Sequence, residues 1–289
     1  MNPVDKDRLR RSFSRGAADY DAHAVVQRRA VDRLLELALP ATAPPRRVLD
    51  VGFGTGALLA RLAGIFPCAD LAGVDLAPGM VLAARRRPIR AWLGLGDAEA
   101  LPFRAGTFDM VVSTSTFQWL PRLGRALGEA SRVLAPGGTL AIAFFGGETL
   151  HELLGAWRAA LPGTTPDHTH RFHAERDLAA GLAEANLVPR VLTSERMVER
   201  HAHPIDLLHA LKRIGAGNAA PRGSVCAGAP GSGGNGCGMG VRGALDRMTR
   251  IYQARHGGSE GVAATWDVLY AVARLDAEPD RTPRRGPSR

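Results

Sequence analysis

Apolar positions change rhythm along this chain of 289 residues, and the changes mark its elements. Leu9, Phe13, Ala17 and Tyr20 recur at helical spacing, as do Val31, Leu34, Leu35 and Ala38, so residues 5–39 are predicted to form two helices. Pro40, Pro44 and Pro45 then interrupt the chain. From Arg46 to Phe145 short apolar runs alternate with helical stretches: strands near 46–51, 70–75, 90–95, 108–113 and 138–145, helices near 57–65, 78–86 and 122–134. That alternation requires a mostly parallel sheet, because each crossover helix returns the chain to the same end. Beyond Gly147 the pattern predicts a helix over Glu148–Leu161, a loop over Pro162–His173 and a helix over Ala174–Ala185. A strand over Val188–Val198 follows, then a helix over Pro204–Ile214 ending at Gly215. Ala264–Arg274 is β-prone and is predicted to pair antiparallel with the 188–198 strand. Between them lies a Gly-rich insertion, 222–243, read as mobile: nine glycines within residues 223–243 argue against regular structure. The organisation is then a helical N-terminal cap (1–45), a Rossmann-like core (46–147), and cap helices with antiparallel C-terminal strands (148–275). A Pro/Arg-rich tail, 276–289, reads as disordered.

The chemistry concentrates at the first strand. Val48-Leu49-Asp50-Val51-Gly52-Phe53-Gly54-Thr55-Gly56 reads as a buried strand running into a glycine turn and a helix. Gly52 and Gly54 let the backbone turn and approach a ligand, and Gly56 lets the helix pack on the strand. Asp75 lies 19 residues after Gly56, where a carboxylate can accept hydrogen bonds from ribose hydroxyls. A dinucleotide would bring a pyrophosphate to this turn, yet Asp50 stands two residues before the first glycine and would repel it. S-adenosylmethionine (SAM) suits the arrangement better, since it lacks phosphate and carries an ammonium and a sulfonium. Asp97, at the tip of a third strand, is placed to meet an adenine amino group.

The formal net charge of +9 implies an anionic partner, and the scattered cations lack the aromatic interleaving of RNA-binding surfaces. An acidic protein partner is therefore at least as good a match as nucleic acid. Three cysteines without CxxC spacing suggest neither zinc nor a disulfide framework. No apolar run reaches the ~20 residues that span a bilayer, and the charged N-terminal residues leave no signal-peptide core. A cytoplasmic protein without membrane contact is expected.

These motifs together resemble the class I SAM-dependent methyltransferases, which implies a seven-stranded, mostly parallel α/β sheet with one antiparallel strand. Further segments sharpen the likeness. Asp5-Lys6, Phe13-Ser14-Arg15-Gly16-Ala17-Ala18-Asp19-Tyr20-Asp21-Ala22-His23-Ala24, Phe117-Gln118-Trp119 and Gly147-Glu148-Thr149-Leu150-His151-Glu152-Leu153 are similar to the malonyl-acyl-carrier-protein O-methyltransferases of biotin synthesis. So are His170-Arg171-Phe172, Leu211-Lys212-Arg213-Ile214-Gly215 and Thr265-Trp266-Asp267-Val268-Leu269-Tyr270. The resemblance runs from about residue 5 to 275 and departs at Phe53, usually smaller, and Thr114, often asparagine. Both positions are expected to adjoin the cofactor and to tighten its pocket.

The resemblance implies methylation of the free carboxylate of a malonyl thioester on an acidic acyl carrier protein. A carboxylate is already ionised at neutral pH, so no general base is required, and the absence of a Ser/His/Asp or Cys/His set agrees with that. It also implies cofactor contacts at Leu76, Met80, Ala98 and Ser113 beside Asp50, Gly52, Gly54, Gly56, Asp75 and Asp97. Arg171 is the first candidate to hold the substrate carboxylate, because a guanidinium can bind it in a bidentate manner. Lys212 is the second; Tyr20, Gln118 and Trp119 complete the substrate-side candidates. His168, His170, His173, His201 and His203 have metal-like spacing but no carboxylate or cysteine partner at a characteristic distance, and no metal is expected. Other readings of the same scaffold are a complex I assembly factor associated with arginine hydroxylation, a small-molecule carboxyl or quinone methyltransferase, and a SAM-binding module without turnover.

Overall fold

The structure is a computed structural model that describes residues 5–161, 172–215 and 237–276, the side chains of 237–242 excepted. Three N-terminal helices, α1 (Lys6–Gly16), α2 (Tyr20–His23) and α3 (Val25–Ala38), precede a run of alternating strands and helices. That run is β1 (Arg47–Val51), α4 (Ala57–Ile65), β2 (Asp70–Asp75), α5 (Pro78–Ala84), β3 (Ala91–Leu95), β4 (Phe108–Thr114), α6 (Leu123–Val133) and β5 (Leu134–Phe145). The remainder is α7 (His151–Ala160), α8 (Glu175–Glu184), β6 (Leu187–His201), α9 (Pro204–Arg213), α10 (Cys237–His256), β7 (Gly257–Gly258) and β8 (Gly261–Leu275).

The strands lie in the order β3-β2-β1-β4-β5-β8-β6, with the two-residue β7 appended to β8. β1 to β5 run parallel to one another, and β8 runs antiparallel between β5 and β6, so one long strand is reversed as expected. The order turns back between β1 and β4, and the crevice above that point is where an open α/β sheet receives ligands. Strand alternation divides the core in two. Val48, Met110, Val112, Ala143 and Tyr270 face α3, α4, α7 and α10, whereas Leu49, Val51, Val111, Ile142 and Ala271 face α6 and α8. Local chemistry sets the helix starts: the Asp5 carboxylate accepts from Arg8 N at 2.9 Å, and Pro78 and Pro204 open α5 and α9.

Three elements depart from the sequence expectation. The first helical stripe does not continue to Tyr20; α1 stops at Gly16, and a turn over 17–19 redirects the chain into α2. β5 begins at Leu134 rather than 138, because a register shift against β4 between Phe108 and Met110 absorbs Pro136-Gly137, with Gly137 at φ +73°. α10 extends into the last part of the Gly-rich stretch. Ala244, Met248 and Tyr252 repeat every fourth residue and are buried, so burial against the core overrides the low helix propensity of the glycines. The rest of that insertion, residues 222–236, and the tail from 277 lie outside the described residues. Among the described residues no helix is long and apolar enough to cross a membrane.

Candidate active site

The glycine turn leaves β1 with Gly52 and Gly54 at φ +74° and +57°. Gly52 N donates to Val74 O at 2.7 Å, fixing the turn to the end of β2. The two glycines serve different needs. A Cβ on Gly52 would lie 2.0 Å from Thr116 Oγ1, whereas a Cβ on Gly54 would meet nothing within 4 Å and would project into open space. The first position is closed by protein; the second is left clear for a ligand.

Asp75 ends β2 and is held in place by the turn it faces: its Oδ2 accepts from Gly54 N at 2.9 Å and its Oδ1 from Ala77 N at 2.8 Å. Burial pushes its carboxyl up to about 6, against the opposing pull of those two N–H groups. Asp50 is 1% exposed, and neither of its carboxylate oxygens has a hydrogen-bond partner among the described residues. Burial first, and the nearby Asp75 second, hold its carboxyl well above the usual range. A buried carboxylate without a partner is costly, so the site has unmet demand for a cation or a donor. Tyr20 lines the same space, and burial, then Asp75 and Asp21, raise its hydroxyl.

On the far side Asp97 follows β3. Its Oδ2 accepts from Lys6 Nζ at 2.6 Å, and Lys6 also reaches Glu99 Oε2 at 2.6 Å. Hydrogen bonding and charge from Lys6 outweigh burial and hold the Asp97 carboxyl below its ordinary value. The N-terminal segment is tied down at its other end as well. Asp21 accepts from Thr55 Oγ1 at 2.6 Å and pairs with Arg87, whose Nε donates to Thr55 O at 2.7 Å. α1 thus roofs the cleft with Leu9 and Phe13, and Phe13 meets Trp119 edge-on at 5.7 Å between ring centroids. The space beneath is partly open to solvent and is lined by α1 and by the ends of β1 to β4.

The cleft brings together Tyr20, Gly52, Gly54, Asp75, Leu76, Met80, Asp97, Ala98 and Trp119 among the residues expected from sequence. Others stand elsewhere. Asp50 lies beneath the turn, and Gly56 caps α4 against Ala84 and Ile89. Ser113 is fully buried and its Oγ donates to Val51 O at 2.6 Å, tying β4 to β1 rather than reaching the cleft. Gln118 is buried, with Nε2 donating to Ser115 O at 2.8 Å. Lys212 is exposed on the last turn of α9 and does not line the cleft. Arg171, His168 and His170 lie outside the described residues. His173 contacts Leu120 O at 2.8 Å, and His203 caps α9 by accepting from Ile205 N at 3.3 Å. Among the described residues no group of three or more His, Cys, Asp or Glu is arranged to hold a metal.

Phe53 does not tighten the pocket. Its ring packs into the core over Gly73, where a Cβ would lie 2.6 Å from Phe53 Cδ1, so the missing side chain on β2 makes room for it. Thr114 does line the cleft. Sequence reasoning missed Lys6, Leu9 and Ser115 as cleft residues. Lys6 stood at the head of the N-terminal motif, which was the available signal; the left-handed backbone of Ser115, at φ +54°, leaves no trace in composition.

Residues 49–142 match the model of a methyltransferase domain family. A malonyl-[acyl-carrier protein] O-methyltransferase of Geobacter sulfurreducens is 44% identical over 277 residues, covering 94% of this chain and 99% of that protein. The biotin biosynthesis bifunctional protein BioHC of Cellvibrio japonicus is 33% identical over 271 residues, covering 93% of this chain and 50% of its own length. A solved structure from Bacillus halodurans, assigned to the methyltransferases, superposes with a TM-score of 0.58 at 17% identity over 85% of this chain and 98% of that one, a likeness of fold alone. Taken with the glycine turn and the acids at the strand tips, the match along nearly the whole length places this chain in the malonyl-[acyl-carrier protein] O-methyltransferase family.

Proposed function

We propose that the protein transfers a methyl group from SAM to the free carboxylate of malonyl-acyl carrier protein, early in the route to the pimeloyl chain of biotin. The observation that carries this reading is the 44% identity with the Geobacter relative over 94% of the chain. The residues of the cleft, and Asp50 in the strand that leads into its glycine turn, fit SAM. Asp50 offers a buried, partnerless carboxylate suited to an ammonium, Asp75 offers acceptors for ribose hydroxyls, and Asp97 offers one for an adenine amino group. Leu76, Met80 and Ala98 supply apolar contact along the same wall.

When bound, SAM supplies an electrophilic methyl group on a sulfonium. The chain's own contribution is placement and dryness. The substrate carboxylate arrives ionised, so no side chain has to remove a proton. Bringing it beside a sulfonium is favoured where water is excluded, and Leu9, Phe13 and Trp119 close the cleft on the side of α1. Tyr20 stands where it can orient either reactant. Arg171 is the candidate that orients the substrate carboxylate; Gln118 and Lys212 stand away from the cleft lining. The decisive assay mixes purified protein, SAM and malonyl-carrier and follows the methyl ester by mass. An inert malonyl-carrier beside a methylated quinone or free dicarboxylate would overturn the reading.

The pH dependence of SAM binding follows from Asp75. A cationic donor with ribose hydroxyls requires the ionised acid, and the Asp75 carboxyl is raised to about 6. Below that value a proton must first leave, so affinity is expected to fall roughly tenfold per unit as pH drops below the raised pKa, toward 5. Asp75→Asn should bind SAM weakly and lose that slope. Calorimetry between pH 5 and 7 measures both, and a flat wild-type profile would remove Asp75 from the binding site.

A further inference from the structure

The helix that roofs the cleft has two chemically distinct faces. Lys6, Leu9 and Phe13 point into the cleft. Arg8, Arg11 and Arg15, at positions i, i+3 and i+7, form one stripe on the roughly opposite side. Arg11 and Arg15 are exposed and Arg8 is half-buried. Arg10 pairs with Asp7 at 3.2 Å, but among the described residues no ion pair engages Arg8, Arg11 or Arg15. The stripe continues onto a second element. Ser12 Oγ donates to Gly215 O at 3.0 Å, and a Cβ at Gly16 would lie 3.0 Å from Arg213 O, so the end of α9 abuts α1 and adds the exposed Lys212 and Arg213.

Like charges at i, i+3 and i+4 repel along a helix, so an unpaired arginine stripe is a small cost to the free protein. It is offset when carboxylates arrive from outside, and guanidinium groups bind those in a bidentate manner. We infer that the outer face of α1, extended by Lys212 and Arg213, is the docking surface for the acidic carrier protein, an inference that rests on the function proposed above. The inner face of the same helix lines the cleft, so a carrier seated on the outer face holds its flexible thioester arm a short path from the site. The same helix then shields the cofactor on one face and receives the partner on the other. Lys212 acts at this surface, which accounts for its distance from the cleft lining.

The test is charge reversal with the carrier separated from its cargo. Arg8→Glu combined with Arg11→Glu and Arg15→Glu is expected to raise KM for malonyl-carrier by about tenfold or more. KM for malonyl-pantetheine, which has no carrier and no phosphate, should stay unchanged, as should kcat and the affinity for SAM. Reversal of Arg158, Arg190 and Arg196, exposed cations outside the cleft lining, supplies the control at equal charge. Should the reversed helix fail to fold, the three glutamine substitutions should raise KM in the same direction by about threefold, and the wild-type KM should climb with ionic strength. An unmoved carrier KM, an equal rise in the control, or an equal rise with malonyl-pantetheine overturns the docking surface. If wild-type protein does not methylate malonyl-carrier at all, the proposed function fails and this inference falls with it; turnover with unmoved variants sinks the docking surface alone.

Discussion

Asp50→Asn is expected to abolish methyl transfer while making the empty protein harder to melt. The side chain is 1% exposed and has no partner among the described residues, so its charge is a liability until something cationic arrives. Loss of one partner from a buried charged contact typically costs about 2–5 kcal/mol, or at least thirtyfold in SAM affinity. The effect on the empty fold has the opposite sign. Asp50 is raised in the folded state, so the native chain keeps a proton that the unfolded chain has already released. Stability therefore falls as pH rises from about 4, the unfolded value, up through the raised one. Asparagine has no proton to release and so removes this pH-dependent cost. Thermal melts without SAM should show the variant above wild type by a few degrees, with the gap wider at pH 8 than at pH 5. With saturating SAM the order should invert. A variant that melts lower at every pH and still binds SAM would refute the assignment.

Gly52→Ala should destroy both the turn and the cofactor site. The new Cβ would stand 2.0 Å from Thr116 Oγ1, 2.5 Å from its Cγ2 and 2.7 Å from its Cβ, on a short side chain that cannot swing away. The left-handed backbone at φ +74° adds about 1–2 kcal/mol of its own, and overpacking commonly adds another ~1–3 kcal/mol. Relief requires Gly52 to move, which breaks its 2.7 Å bond to Val74 O and displaces the turn that faces Asp75. Thr116→Gly on the same chain removes all three close atoms and should restore part of the stability, leaving the backbone strain. Gly54→Ala is the informative contrast, because nothing lies within 4 Å of its Cβ. That protein should fold with a modest loss yet bind SAM poorly, since the methyl intrudes on the ligand's space. Denaturation and calorimetry on the three variants separate steric loss from binding loss; equal behaviour of Gly52→Ala and Gly54→Ala would contradict it.

The parts of the molecule that could be read in advance are those whose cause is local. Asp50, Gly52, Gly54 and Asp75 announce themselves because a strand, a tight turn and a second strand tip occur at fixed distances along the chain. Ala264–Arg274 was legible as a strand from its β-prone composition, and it does pair antiparallel with the 188–198 strand, with β5 on its other side. What could not be read depends on contacts from far away. Lys6 reaches Asp97 and Glu99 across more than ninety positions, and nothing near Lys6 says so. Ser113 sits at the right strand end, yet its hydroxyl is spent on the neighbouring strand. α10 was obscured by its glycines, although Ala244, Met248 and Tyr252 carried a helical repeat that outweighs them once a core is available.

The aromatic ring of Phe53 and the bare backbone of Gly73 behave as lock and key across β1 and β2. A smaller residue at position 53 is expected to leave a hole over Gly73, and a side chain at position 73 to displace the Phe53 ring. Neither residue lines the cleft, so the cost of either change is expected to appear first in the stability of the fold.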